Sequence, residues 1–215
     1  MNLLGVRGTA KYSGNEFDPR VYGDEQFSGR MPDIYESYAR VLFDCFKPLS
    51  CVDVGCANGF VPEYLLRQGV DAFGIEGAEA AFRHMPEGIR QRVYRLDLRA
   101  DWTQFFFEEI RRKFEVVNFT EVAEHLRVEH EEVMLRNVRM LTGKFLILSW
   151  SDEWCPYRGT ERQEHFNPRP KKYVKKRLEC MGFSWSEALT REFNDRIRRL
   201  DVYEHWKDNI MVFSV

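Results

Sequence analysis

The chain has 215 residues and a mass of 25.6 kDa, enough for one sizeable hydrophobic core and short for two independent enzymatic domains. Hydrophobic residues make up 44% and charged residues 31%, which excludes a disordered or membrane-spanning class, and a formal net charge of −2 removes any bulk electrostatic drive towards nucleic acid or an anionic membrane. Five cysteines, Cys45, Cys51, Cys56, Cys155 and Cys180, form no CxxC pair and read as reduced thiols. With no signal-peptide pattern and no run of about 18 apolar residues, the expected location is the cytoplasm.

Residues 1 to about 30 are rich in Gly, Asp and Tyr and lack an apolar period, whereas IYESYARVLFDCF (34–46) has helical spacing. The expectation is an N-terminal lid and helix over 1–47, with Tyr12, Phe17, Tyr22 and Phe27 suited to covering a ligand, followed by one domain over 48–215. From Cys51 strands and helices alternate. CVDVG predicts a strand, FVPEYLLRQG a helix stopped at Gly69, DAFGIE a strand and AEAAFRHM a short helix. RVYRLDL (92–98) predicts a strand, TQFFFEEIRRK a helix, FEVVNFT (114–120) a strand, and AEHLRVEHEEVMLRNVRML one long helix. After a stop at Gly143, KFLILSW predicts a fifth strand. Repeated βα units of this kind make a parallel sheet. Beyond an irregular stretch, PRPKKYVKKRLECMGF predicts a helix with Val174, Leu178 and Met181 on one face, and SWSEALTREF and DNIMVFSV predict two strands able to pair antiparallel.

Chemistry concentrates at the carboxyl ends of these strands. In Asp53-Val54-Gly55-Cys56-Ala57-Asn58-Gly59 a strand enters a small-residue turn and then a helix, so backbone N–H groups can approach an anionic or nucleotide-like ligand closely. The turn by itself fits either a dinucleotide or S-adenosylmethionine. Glu76 ends the second strand about 17 residues after Gly59, where a carboxylate can accept both ribose hydroxyls; a surface acid at a strand end is the plainer alternative. Asp97 and Leu98 end the third strand, where the carboxylate can accept from an adenine amino group and the next N–H can donate to a ring nitrogen, although Asp at such a turn is also a common helix cap.

DVGCANG, FEVVNFTEVAEHL and HFNPRPKKYVKKRLECMGF together resemble class I S-adenosylmethionine-dependent methyltransferases, with Ala57 at a position usually held by glycine. The resemblance spans roughly residues 48–185. It implies an α/β, Rossmann-like, doubly wound sheet of seven strands, mostly parallel with a reversed C-terminal edge strand. It also implies an enzyme that uses S-adenosyl-L-methionine, held by Asp53, Gly55, Cys56, Ala57, Gly59, Glu76, Asp97 and Leu98. Glu121, Glu124 and His125 then follow the fourth strand, where cofactor and acceptor meet. Glu121 and His125 are four apart and share a face if helical. His125, with Glu121, is the candidate catalytic base; its alternative is to brace the turn. His165 and Asn167 are candidate substrate contacts.

No pair among Glu121, His125 and His165 has zinc spacing, so no metal is expected. The basic stretches KKYVKK (171–176) and RIRR (196–199) read as solvated helix faces, and nucleic acid is not an expected partner. The expected acceptor is a small molecule. A nicotinamide dehydrogenase would need glycine at 57 and 60, where the chain has Ala57 and Phe60. A catalytically silent relative acting as a binding or regulatory protein, and an RNA or protein methyltransferase, stand as alternatives.

Overall fold

A computed structural model describes residue 24, residues 27–153 and residues 165–215. Tyr12, Phe17, Tyr22 and Cys155 therefore lie outside the described residues. Seven strands form one sheet: β1 (Ser50–Val54), β2 (Asp71–Glu76), β3 (Val93–Arg95), β4 (Phe114–Phe119), β5 (Thr142–Ser149), β6 (Ser184–Trp185) and β7 (Ile210–Ser214), in the order β3-β2-β1-β4-β5-β7-β6. The first five pair in parallel; β7 runs antiparallel to both β5 and β6. The reversal is at the C-terminus as expected, with β7 one position in from the edge and the two-residue β6 outside it.

Alternating side chains give the sheet two covered faces. On one, Cys51, Val116, Ile147 and Val212 meet α1 (Pro32–Phe46), α2 (Phe60–Arg67) and α8 (Glu187–Ile197) through Tyr38, Leu42, Leu65, Phe193 and Ile197. On the other, Val52, Val117, Leu146 and Phe213 meet α6 (Glu131–Leu141) and α7 (Lys171–Glu179) through Met134, Leu135, Val138 and Val174. The short α3 (Glu79–Arg83) and α4 (Glu87–Arg90) join α2 around a smaller cluster that includes Phe27, Cys56 and Ile89. The chain leaves β1 towards β2 and β3 on one side and resumes with β4 on the other. Its direction thus reverses between the carboxyl ends of β1 and β4, and a crevice opens there.

Three segments depart from their expected form. TQFFFEEIRRK holds only one turn, α5 (Thr103–Phe105), which widens into a π-helical turn over Phe106–Ile110 and stops at Arg111 with φ 55°. The long helix expected from Ala123 begins at Glu131; before it come two 3₁₀ turns, Ala123–His125 and Val128–His130, separated by extended backbone at Leu126 and Arg127. The reason is that the Glu124 carbonyl accepts from the amides of Phe166 and Asn167, at 2.7 and 3.0 Å, instead of from a later residue of its own helix. SWSEALTREF is strand only at Ser184–Trp185. Ser186 Oγ then accepts from the Leu189 amide as an N-cap, and Leu189, Phe193 and Ile197 recur at helical spacing to form α8. Gly143 lies inside β5 rather than ending α6, because the helix passes directly into the strand at Thr142.

Candidate active site at the carboxyl edge of the sheet

The turn after β1 is built on left-handed backbone: φ is 78° at Gly55, 49° at Ala57 and 73° at Gly59. Alanine tolerates this region at a cost of roughly 1–2 kcal/mol, so the turn is held from outside. Gly55 and Cys56 donate to the Ile75 carbonyl at 2.8 and 3.1 Å, and Ala57 donates to Glu76 Oε2 at 2.8 Å. Glu76 Oε1 accepts from the Ala78 amide at 2.7 Å, so one carboxylate clamps the turns after β1 and β2 together. Glu76 is 7% exposed, and burial pushes its pKa up. Each oxygen keeps acceptor capacity towards the groove beside it. That groove brings Gly55, Ala57, Glu76, Asp97 and Leu98 together, with Phe27 and Arg30 also lining it.

Like Glu76, other expected cofactor contacts have internal partners. The Asp97 carboxylate accepts from the backbone N–H and the guanidinium of Arg99, whose side chain is almost fully buried, so Asp97 braces its own loop while lining the groove. The Cys56 thiol points into the small cluster around Phe27 and Ile89, leaving its backbone as the part that meets a ligand. Asp53 Oδ1 accepts from Asn118 Nδ2 at 2.7 Å, and Asn118 Oδ1 accepts from the Tyr38 hydroxyl at 2.7 Å. Desolvation pushes Asp53 up to about 7. Sequence reasoning missed Asn118 and Tyr38, because their tie to Asp53 exists only once β1, β4 and α1 are side by side.

A second, larger cleft continues from the groove, sharing Arg30, Gly55, Glu121 and His125 with it and extending to His165, Tyr203 and His205. The expected helical face of Glu121 and His125 does not form: Glu121 has φ 58° and sits before the 3₁₀ turn. The loop instead holds Glu121 against β5, where Ser149 Oγ accepts from the Glu121 amide at 2.7 Å and donates to Glu121 Oε1 at 2.6 Å. Both side chains still border the cleft. Burial pushes Glu121 up to about 7, and burial together with the Glu121 charge pushes Glu124 up to about 8. His165 reaches the cleft as expected. Asn167 does not: it is 3% exposed, its Nδ2 donates to Glu131 Oε2 at 3.0 Å, and its carbonyl accepts from Trp150 Nε1. It is scaffold for the loop, because Glu131 also binds Arg169 and Tyr173. The fold brings ligand atoms of Glu124, His125 and His165 within 4.8 Å of one another, a juxtaposition that the spacing of Glu121, His125 and His165 along the chain does not show. Among the described residues no helix is long and apolar enough to cross a membrane.

No family model matches the chain. A curated relative, the ubiquinone biosynthesis O-methyltransferase of Maricaulis maris, is 29% identical over 85 residues, covering 40% of this chain and about a third (34%) of that protein. Among solved structures, the magnesium protoporphyrin IX methyltransferase of Synechocystis PCC 6803, determined with bound SAM, superposes with a TM-score of 0.57 at 17% identity over 92% of this chain and 86% of its own. The CcbJ methyltransferase of Streptomyces caelestis gives a TM-score of 0.63 at 11% identity, covering 92% and 98% of the two chains. A SAM-dependent methyltransferase from Archaeoglobus fulgidus gives 0.60 at 16% identity, covering 89% and 97%. Strand order, reversed seventh strand and glycine turn agree with these likenesses: the chain has the Rossmann-like fold of the class I S-adenosylmethionine-dependent methyltransferases.

Proposed function

We propose that the protein is an S-adenosylmethionine-dependent methyltransferase acting on a small-molecule acceptor in the cytoplasm. The observation that carries the reading is the Glu76 clamp, which places a buried carboxylate and the left-handed Gly55–Gly59 turn on one groove at the switch point of the sheet. The groove fits the cofactor chemically. Glu76 would accept the ribose hydroxyls, Asp97 and the Leu98 amide would meet the adenine edge, and Asp53, lining the adjoining cleft, would accept the α-ammonium of the methionyl part. Bound there, S-adenosylmethionine supplies an electrophilic methyl group on a sulfonium centre.

The chain's own part is alignment, since a methyl transfer needs its acceptor atom in line more than it needs a strong base. His125 and Glu121, on the border between groove and cleft, are the groups placed to take the acceptor's proton, and His165 faces the acceptor. Phe27 and Arg30 carry the lid reading of the N-terminal segment, because both border the groove and Asn58 Nδ2 donates to the Phe27 carbonyl at 3.0 Å. The likeness to a magnesium protoporphyrin IX methyltransferase supports a small-molecule acceptor. The unpaired thiols Cys45, Cys51, Cys56 and Cys180 fit a reducing compartment.

Isothermal titration of nucleoside-free protein with S-adenosylhomocysteine tests the reading. Glu76→Ala removes the acceptor for two hydroxyls, each charge-assisted bond being worth roughly 1.5–3 kcal/mol, so affinity should fall at least about tenfold. Wild-type protein that binds no sulfur nucleoside, or a folded Glu76→Ala variant with unchanged affinity, would overturn the assignment.

A further inference from the structure

We infer that Glu124, His125 and His165 bind one divalent transition-metal ion where the cofactor groove opens into the larger cleft, and that the ion's open positions take an oxygen of the acceptor. The acceptor part rests on the methyltransferase reading; the ion site itself does not.

The carboxylate is the informative member. Glu124 is fully buried, its Oε1 takes a long contact of 3.4 Å from the Ser151 amide, and its Oε2 has no hydrogen-bond partner among the described residues. A buried carboxyl oxygen in that state is disfavoured unless a donor, a proton or a cation meets it. Two imidazoles stand beside it, with ring centroids 5.0 Å apart and planes at 80°. His165 is already set up as a ligand: its Nδ1 lies 2.8 Å from the Glu153 carbonyl, which can only accept. Nδ1 therefore carries the proton, and Nε2 presents the lone pair that a metal requires.

Glu124 and His125 are neighbours on one turn while His165 comes from a segment beyond β5, yet backbone bonds hold them together. The same Glu124 residue whose side chain enters the cluster accepts through its carbonyl from Phe166 and Asn167, and Asn167 is anchored in turn to Glu131. The segment carrying His165 is thus fastened to the loop carrying Glu124 and His125. Donors within 4.8 Å of one another lie slightly farther apart than they would on an ion with bonds of about 2.1 Å, so the site closes inward on binding. Two imidazoles and one carboxylate suit Zn²⁺, Fe²⁺ or Co²⁺ rather than Mg²⁺ or Ca²⁺, which favour oxygen ligands. Three protein ligands leave positions open, as in catalytic rather than structural sites. His125 borders both cavities and His165 the larger one, so an acceptor hydroxyl entering the cleft meets the ion before it meets the cofactor; coordination would lower that hydroxyl's pKa.

The test uses protein without an affinity tag, stripped with EDTA, titrated calorimetrically with Zn²⁺ and by absorbance with Co²⁺. One equivalent of either ion is expected to bind, with His165→Ala and Glu124→Gln each weakening binding at least about tenfold in variants whose circular dichroism matches wild type. His165 is half-buried, so its variant decides the matter if Glu124→Gln does not fold. No uptake by wild type, or unchanged uptake in folded His165→Ala, overturns the site. S-adenosylhomocysteine is titrated on the same preparations to separate the two readings. Nucleoside binding without metal uptake overturns the metal site alone; metal uptake without nucleoside binding overturns the acceptor role and leaves the ion site standing.

Discussion

Asp53 stands at the carboxyl end of β1, where burial holds its pKa at about 7 against 3.8 for an exposed aspartate. Between pH about 4 and about 7 the folded protein keeps a proton there that the unfolded chain has released. The stability this group contributes is therefore fully present below pH about 4, declines as the pH rises, and is gone above about 7. At about 1.4 kcal/mol per unit, the swing is on the order of 4 kcal/mol. Asp53→Asn cannot ionise, and its amide oxygen can still accept from Asn118, so its stability relative to wild type should rise across that window in denaturant titrations at several pH values. A difference independent of pH would mean that Asp53 is ionised in the folded protein. Gly55 offers a second test at this scale. A Cβ there would lie 2.3 Å from Val122 Cγ2, on top of the unfavourable φ of 78°. The glycine is thus demanded by the loop after β4 and not only by a ligand. Gly55→Ala should cost several kcal/mol, of which overpacking is roughly 1–3. The double variant with Val122→Ala should recover that part in a mutant cycle; strict additivity would show that the loop moves aside freely.

Among the elements, α8 shows how a single polar residue decides between two readings of one stretch. SWSEALTREF is expected as a strand, but Trp185, Leu189 and Phe193 fall four apart, Ser186 caps a helix, and Thr190 Oγ1 then accepts from both Trp185 Nε1 and the Val212 amide. The helix is fastened to the sheet at its first turn. Ser186→Ala should cost about 1 kcal/mol and lower the melting temperature by roughly 2–4 °C without altering the far-ultraviolet spectrum. A loss of strand signal in its place would contradict the assignment. The loop after β4 departs from the expected helix for a related reason. Its residues are good helix formers, and what keeps them out of a helix is a carbonyl already taken by Phe166 and Asn167 from a remote part of the chain. Periodicity reports which side of an element is apolar and is silent about such remote competitors.

For the molecule as a whole, cofactor binding should register as stability. At about 100 times its dissociation constant a ligand adds about 2.7 kcal/mol, so S-adenosylhomocysteine should raise the melting temperature of nucleoside-free protein by several degrees while NAD leaves it unchanged. An equal shift with NAD would place the chain among dinucleotide binders despite Ala57 and Phe60. By itself the sequence determined the order of the first five strands along the chain, the turn at Gly55–Gly59, and the acid at the end of β2, because each is written in neighbours a few residues apart: apolar alternation, small residues at left-handed backbone, a carboxylate at a strand end. The tertiary structure alone decided that Glu76 bridges two turns, that Asp53 is tied through Asn118 to Tyr38, that Asn167 faces Glu131 instead of the cleft, and that Glu124, His125 and His165 converge. Those relations depend on sheet register and on which loops lie side by side once the chain has crossed the sheet, and no local spacing encodes either.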